Sequence, residues 1–338
     1  MPVRAAKIDR DEVFLGGSMQ LGRRRFLAAS GAALAAACAP RVDLPPGGAP
    51  SASGPAADEL DEISQAITSG GPPPDGIPPV EKPTYLSIAE ASKQWRDDAV
   101  VDAFTIDGQA RAYPRFITVW HEIVNENAGG KPITITYCPL TGSTVVFSGE
   151  LADGRTTTFG TSGMLYNSNL VMYDRVTKSM WPQLFGVAVR GERKGERLKE
   201  IGGAVTTTLG RWKAKFPDGV VLSRDTGHAR AYGTWPYGEY ETANGIIFPV
   251  RATDARFHQK KVVVGVRMNG AALAIPKAEF AQRREANVEV GGRELVARYD
   301  ADLDAVRVLD RRTVEPVSAY DVMWFAWFAF NPKTEVLR

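Results

Sequence analysis

Apolar and polar positions alternate most clearly between residues 133 and 138, where isoleucine and tyrosine share one face and threonine and Cys138 share the other. Residues 139–142 have the composition of a turn, and residues 143–147 that of a returning strand. Cys138 is therefore expected at the end of a strand, on its polar face. That position favours a working thiol, because a structural free cysteine packs as a small hydrophobe.

The segment before this strand has a helical pattern. Between Pro114 and Asn125 the apolar residues recur at spacings of three and four, which predicts a helix with His121 at the edge of its apolar stripe. Further along, residues 156–189 predict β-structure, and residues 225–240 predict a long loop that contains His228. Residues 323–330 are apolar on every face, which indicates a buried core segment.

The pattern around residue 108 returns later in the chain. Residues 106–114 and 268–276 are similar, and the double glycine that follows each lies at the same distance, so the offset is 162 throughout. In the second copy Arg283 replaces His121 and Asp300 replaces Cys138. His121 and Cys138 are therefore expected to serve a task of the first copy rather than the architecture of both.

These patterns predict a β-rich α+β fold. Two related β-hairpin/helix/strand units, residues 101–147 and 263–309, are expected around a central antiparallel β-region within a single compact domain over residues 84–338. Antiparallel pairing is expected because the strands are short and separated by turns.

The N-terminal residues predict export. Residues 22–27 (GRRRFL) fit a twin-arginine signal, and residues 34–38 (LAAAC) resemble a lipoprotein cleavage box that ends at Cys38. Residues 1–38 are therefore interpreted as an export signal with lipidation at Cys38; ordinary cleavage nearby is the alternative. Residues 39–83 have the Pro/Gly/Ser-rich composition of a tether. The protein is expected in the periplasm or on the outer face of a membrane, attached through the lipid.

Composition narrows the possible partners. The 41 lysines and arginines are dispersed and the net charge is only +2, so no nucleic-acid partner is expected. The chain has two cysteines. If Cys38 is lipidated or removed, Cys138 is alone in an oxidising compartment and cannot form an internal disulfide. Such a thiol is liable to oxidation unless it is buried, ligated or used.

Several motifs in order along the chain resemble the bacterial family known as domain of unknown function 3179. The resemblance covers roughly residues 65 to 335, and its motifs are residues 108–114, 120–125, 137–143, 165–168, 172–175 and 324–327. It implies an exported or lipid-anchored protein, and it implies no established reaction.

Metal binding is the first of three functional hypotheses. A thiolate, imidazoles and a thioether are the ligands that copper prefers, so His121, Cys138, Met172 and His228 form a candidate copper or redox site. Zinc ranks below copper because only one thiolate is present.

The second hypothesis is a thiol-dependent enzyme in which His121 activates Cys138 as the nucleophile. The metal-binding and the enzyme hypotheses both predict that His121 and Cys138 converge on an accessible face. The third hypothesis is a non-catalytic envelope binding or scaffold module, with a small-molecule or envelope partner. Aromatic residues are available for a groove in that module: Tyr166, Trp181, Trp235, Tyr237 and Tyr240.

Overall fold

The computed structural model describes residues 55–338, which form a β-rich fold with few helices. None of the helices in this range is long and apolar enough to cross a membrane. The helices are α1 (Ala57–Gln65), α2 (Ile88–Gln94), α3 (Arg115–Thr118), α4 (Leu209–Lys215), α5 (Lys277–Arg283) and α6 (Trp324–Phe330).

Short strands make up most of the regular structure. They are β1 (Thr68–Ser69), β2 (Tyr85–Ser87), β3 (Val100–Ile106), β4 (Gln109–Pro114), β5 (Ile123–Ala128), β6 (Lys131–Cys138), β7 (Ser143–Ser148), β8 (Phe159–Tyr166), β9 (Asn169–Asp174), β10 (Met180–Pro182), β11 (Val205–Thr208), β12 (Val220–Leu222), β13 (Val262–Met268), β14 (Ala271–Pro276), β15 (Glu285–Val290), β16 (Arg293–Asp300), β17 (Ala305–Asp310), β18 (Ala319–Met323) and β19 (Glu335–Val336).

The strands form five small sheets in a five-bladed β-propeller arrangement. Their strand orders are β1-β8-β9-β10, β11-β3-β4-β12-β2, β5-β6-β7, β18-β13-β14-β19 and β15-β16-β17. Pairing is antiparallel except where β12 meets β4 and where β19 meets β14. The predicted β-rich character is confirmed. The predicted arrangement of two units around a central β-region is wrong.

The reason for this difference lies in the edges of the hairpins. The β3–β4 hairpin gains β11 and β12 as neighbours, whereas β5, β6 and β7 form a sheet of their own. Each predicted unit is thus divided between two blades, because strands from distant parts of the chain complete the edges of its first hairpin. The five strands of residues 100–148 and the five of residues 262–310 nevertheless have bounds that differ by 162 positions.

The helix predicted between Pro114 and Asn125 is much shorter. α3 ends at Thr118, and the chain turns at Glu122, whose φ of 57° is left-handed. Ile123 then begins β5, which pairs with β6. The β-branched residues Ile123 and Val124 suit a strand as well as an apolar helix stripe, and the tertiary pairing decides between them.

Part of the predicted tether belongs to the fold. Leu60 and Ile63 of α1 are buried and pack with Val187 and Val189, and Val80 is completely buried. The predicted boundary at residue 84 therefore lies inside the compact unit. Residues 39–54 of the tether, the signal at residues 1–38 and the lipidation site Cys38 lie outside the described residues.

Candidate functional site beneath a long irregular segment

Residues 223–261, called the strap below, connect β12 to β13 without a helix or a strand. The strap is fastened to several blades. The Tyr240 hydroxyl donates to the Leu140 carbonyl at 2.9 Å, the Ser168 hydroxyl donates to the Phe248 carbonyl, and the Trp324 indole N–H donates to the Asp254 carbonyl at 3.2 Å. Ordered loops of this length usually serve a function, so the residues beneath the strap define the candidate site.

His121 lies in the turn after α3 and is fully buried. Its Nδ1 lies 2.7 Å from the Pro78 carbonyl oxygen and its Nε2 lies 2.5 Å from the Tyr232 hydroxyl. A carbonyl only accepts, so Nδ1–H donates to Pro78 and Nε2 accepts from Tyr232. Burial lowers the pKa of His121 to about 4, and the nearby charges of His228 and Arg230 act in the same direction. His121 is therefore neutral at pH 7, with both ring nitrogens engaged.

Cys138 ends β6 with only 1% of its surface exposed. The Leu170 N–H donates to its sulfur at 3.4 Å, and the thiol donates to the Ser168 carbonyl at 3.9 Å. Burial raises the pKa of the thiol to about 11, and the Glu122 carboxyl nearby adds to the increase. The thiol is protonated at neutral pH, and a protonated thiol is a weak nucleophile and a weak metal ligand.

The predicted accessible polar face of β6 does not exist. β6 is the middle strand between β5 and β7, and Thr134, Thr136 and Cys138 are as buried as the isoleucines opposite them. The face carrying Cys138 is covered, and the sulfur belongs to a core cluster with Leu140, Leu170 and Trp181.

Glu122 is a site residue that the sequence reasoning missed. It is only 7% exposed, its φ of 57° is left-handed, and among the described residues its carboxyl has no hydrogen-bond or ion-pair partner. Burial raises the pKa of this carboxyl to about 8. A buried acid on a strained backbone is typical of functional sites. The signal in the sequence that could have identified Glu122 is an acidic residue within a largely apolar run.

The turn between β8 and β9 forms the other side of the site. Asn167 and Ser168 both have left-handed backbones, with φ values of 51° and 60°. The Asn167 side chain accepts from the Arg251 N–H of the strap at 2.9 Å and donates to the Ala329 carbonyl of α6 at 3.1 Å. This turn therefore joins the strap to α6 beside the Cys138 sulfur.

The other predicted metal ligands lie in different surroundings. Met172 is completely buried in the core, and His228 is exposed on the strap. The ring of His228 lies 5.6 Å from that of His121, centroid to centroid, so the structure brings the two histidines together. The hydrogen bonds of His121 and Cys138 do not join these two residues to each other. Within residues 55–338, no three His, Cys, Asp or Glu side chains are grouped closely enough to hold a metal ion.

A buried amide network supports the turn after Cys138. The Gln183 amide N–H₂ donates to the Thr136 hydroxyl at 2.9 Å, and its oxygen accepts from Asn169 at 2.7 Å and from Ser143 at 2.9 Å. Asn169 also donates to the Thr141 hydroxyl at 3.1 Å. All five side chains are buried, so this network fixes residues 138–143.

The aromatic residues proposed for a groove do not share one surface. Trp181 is completely buried and its indole N–H donates to Asp174 at 3.1 Å. Trp235, Tyr237 and Tyr240 belong to the strap, and burial raises the pKa of Tyr240 to about 12. Tyr166 lies next to α6, where its ring meets Phe330 edge to face.

One comparison with known proteins gives a match. The family model described as "Protein of unknown function (DUF3179)" matches residues 74–334. No curated protein and no solved structure matches the chain. The matched residues include strands β2 to β18, His121, Glu122, Cys138 and the strap.

Proposed function

Because the chain belongs to the DUF3179 family of proteins of unknown function, we propose a role that needs no reaction at Cys138. In this proposal the protein is exported and lipid-anchored, and its propeller is a non-catalytic binding or scaffold module of the cell envelope. The hydrogen bonds of His121 hold the strap in place, and those of Cys138 hold the turn between β8 and β9 beside it; we call the two residues fasteners for this role.

The observation that supports this proposal is that the side chains of His121 and Cys138 are both hydrogen-bonded to other groups of the protein. Both nitrogens of His121 are used by Pro78 and Tyr232, and the Tyr232 hydroxyl lies 2.7 Å from the Thr226 hydroxyl. Two strap residues are thus tied to the blade through one imidazole. To serve as a copper ligand or a base, His121 would have to exchange one of these partners, and buried polar groups left without a partner cost about 1–3 kcal/mol each.

The second half of the proposal concerns the related segments, which we propose are copies of one unit. Glu122 and Arg284 both have left-handed backbones, and each carbonyl accepts a 2.7 Å bond, from the N–H of Tyr137 and Tyr299 respectively. At the position of Cys138 the second segment has Asp300, which pairs with Lys215 at 2.5 Å. The first copy alone carries the strap fasteners, which supports a role for them in holding the strap.

The reactivity of Cys138 tests the fastener role. In a Cys38→Ser protein, we expect Cys138 to react with an aromatic disulfide at pH 7 at least about 100-fold more slowly than a free thiol, because it is buried and protonated. The urea-unfolded protein, which should react at once, is the control. We also expect protein purified from its native envelope to contain no stoichiometric copper. Rapid labelling of the folded protein, or copper that is lost in Cys138→Ala, would contradict the proposal.

The mature N-terminus tests export and anchoring. We expect membrane-fraction protein to begin at Cys38 and to carry a lipid mass, because residues 22–27 and 34–38 have the required patterns. Intact-mass measurement decides this, with a Cys38→Ser variant as the matched control. A wild-type N-terminus at Ala39 or beyond, without a lipid, would remove the anchor from the proposal.

A further inference from the structure

A cavity of about 240 Å³ lies between α1, the end of α6 and the strap. Its apolar wall includes Tyr166, Phe185 and Phe330. The rings of Tyr166 and Phe330 are 5.4 Å apart and inclined at 85°, so together they form a concave corner. This volume is below the range of about 300–1,000 Å³ that is typical of sites for drug-sized ligands. The cavity therefore suits a small molecule.

The charged groups of the cavity are unbalanced. Glu59 and Glu62 of α1 line it together with a single cation, Arg251. Arg251 lies 3.6 Å from the Glu62 carboxylate. Among the described residues, the ion pairs of α1 involve Asp61 and Glu62 and not Glu59. The exposed side chain of Glu59 is therefore an unpaired carboxylate in a lining that also contains three aromatic rings. This combination favours an organic cation, because aromatic faces attract cations and a carboxylate pairs with them.

We infer that this cavity binds a small organic ammonium ion. Its apolar body would contact Tyr166, Phe185 and Phe330, and its ammonium group would lie at Glu59. This inference does not depend on the proposed roles of His121 and Cys138. None of the residues that line the cavity forms a hydrogen bond with the side chain of His121 or Cys138.

The test uses the whole mature protein. Three probes of similar size and different charge are compared: 2-phenylethylamine, 2-phenylethanol and 3-phenylpropanoate. Protein-observed NMR titration at low salt should give a Kd for the amine below about 1 mM, a value reasonable for a ligand with so few atoms. The alcohol should bind at least tenfold more weakly than the amine. The carboxylate should show no binding at a concentration tenfold higher than that at which the amine binds. Equal binding of the amine and the alcohol, or no binding of the amine, would overturn the inference.

Two variants of α1 identify the carboxylate. Glu59→Gln should weaken amine binding at least fivefold, whereas Asp58→Asn should change it less than twofold. Asp58 is the matched control because it lies in the same first helical turn but does not line the cavity. Phe185→Leu should also weaken binding, since it removes an aromatic face and keeps an apolar side chain. Unchanged affinity in Glu59→Gln, with the same thermal unfolding midpoint as Asp58→Asn, would contradict the assignment.

Discussion

Replacing Gln183 by alanine is expected to lower the free energy of unfolding by about 4 kcal/mol, because the substitution both empties volume and leaves several buried polar groups unpaired. Gln183 is fully buried, and its amide joins β6, β7 and β9 through Thr136, Ser143 and Asn169. Its partners Thr136, Ser143 and Asn169 are buried as well. Urea unfolding, followed by tryptophan fluorescence, measures the change.

Gln282→Ala is the control for this substitution. Gln282 is exposed on α5, and its replacement should change stability by less than about 0.5 kcal/mol. Because Gln183 supports the turn after Cys138, its loss should also speed the labelling of that thiol. A loss of stability below about 1 kcal/mol for Gln183→Ala would show that the network is not structural.

Glu122→Gln is expected to stabilise the protein in a pH-dependent way. The ordinary pKa of a glutamate is 4.5, and burial raises that of Glu122 to about 8. The unfolded chain therefore releases this proton at lower pH than the folded chain does. The stability contributed by the protonated carboxyl is complete below about pH 4.5 and is lost as the pH rises to about 8. Glutamine stays neutral, so it avoids the loss.

Wild type and Glu122→Gln should be equally stable near pH 4.5, and the variant should be more stable by about 3 kcal/mol at pH 8.5, given 1.36 kcal/mol per pKa unit and partial relaxation around the charge. The difference up to pH 8.5 isolates Glu122, because the Cys138 thiol, whose pKa the Glu122 charge raises, stays protonated over this range in both proteins. Glu289→Gln, at an exposed position of β15, is the matched control for the substitution. A constant difference across the pH range would mean that the Glu122 carboxylate is solvated.

The strand pattern could be predicted well from the sequence, and the blades could not. Alternation at residues 133–138 and the turn after it locate β6 and β7. The sheet that contains β3 and β4, in contrast, is completed by β12, more than 100 residues later. Local periodicity contains no information on such pairings, so the propeller remained hidden.

The surroundings of His121, Glu122 and Cys138 also could not be predicted from the pattern of apolar and polar residues. The exposed position predicted for Cys138 assumed that threonines mark a solvent face, but β6 is covered on both sides. The helix prediction placed His121 at the edge of a continuous apolar stripe, whereas the left-handed turn at Glu122 redirects the chain. A single φ value of this kind depends on tertiary packing, because a glutamate does not favour it locally.

The pairing of β12 also has a consequence for the order in which the chain folds during synthesis. Tyr85–Ser87 joins its sheet only through Val220–Leu222, which inserts between it and β4. A ribosome adding about 5–20 residues per second therefore leaves the early strand without its neighbour for many seconds. The blade of β13 and β14 is completed later in synthesis, because its last strand is Glu335–Val336. The nascent chain must stay soluble with open strand edges until these later strands have been synthesised.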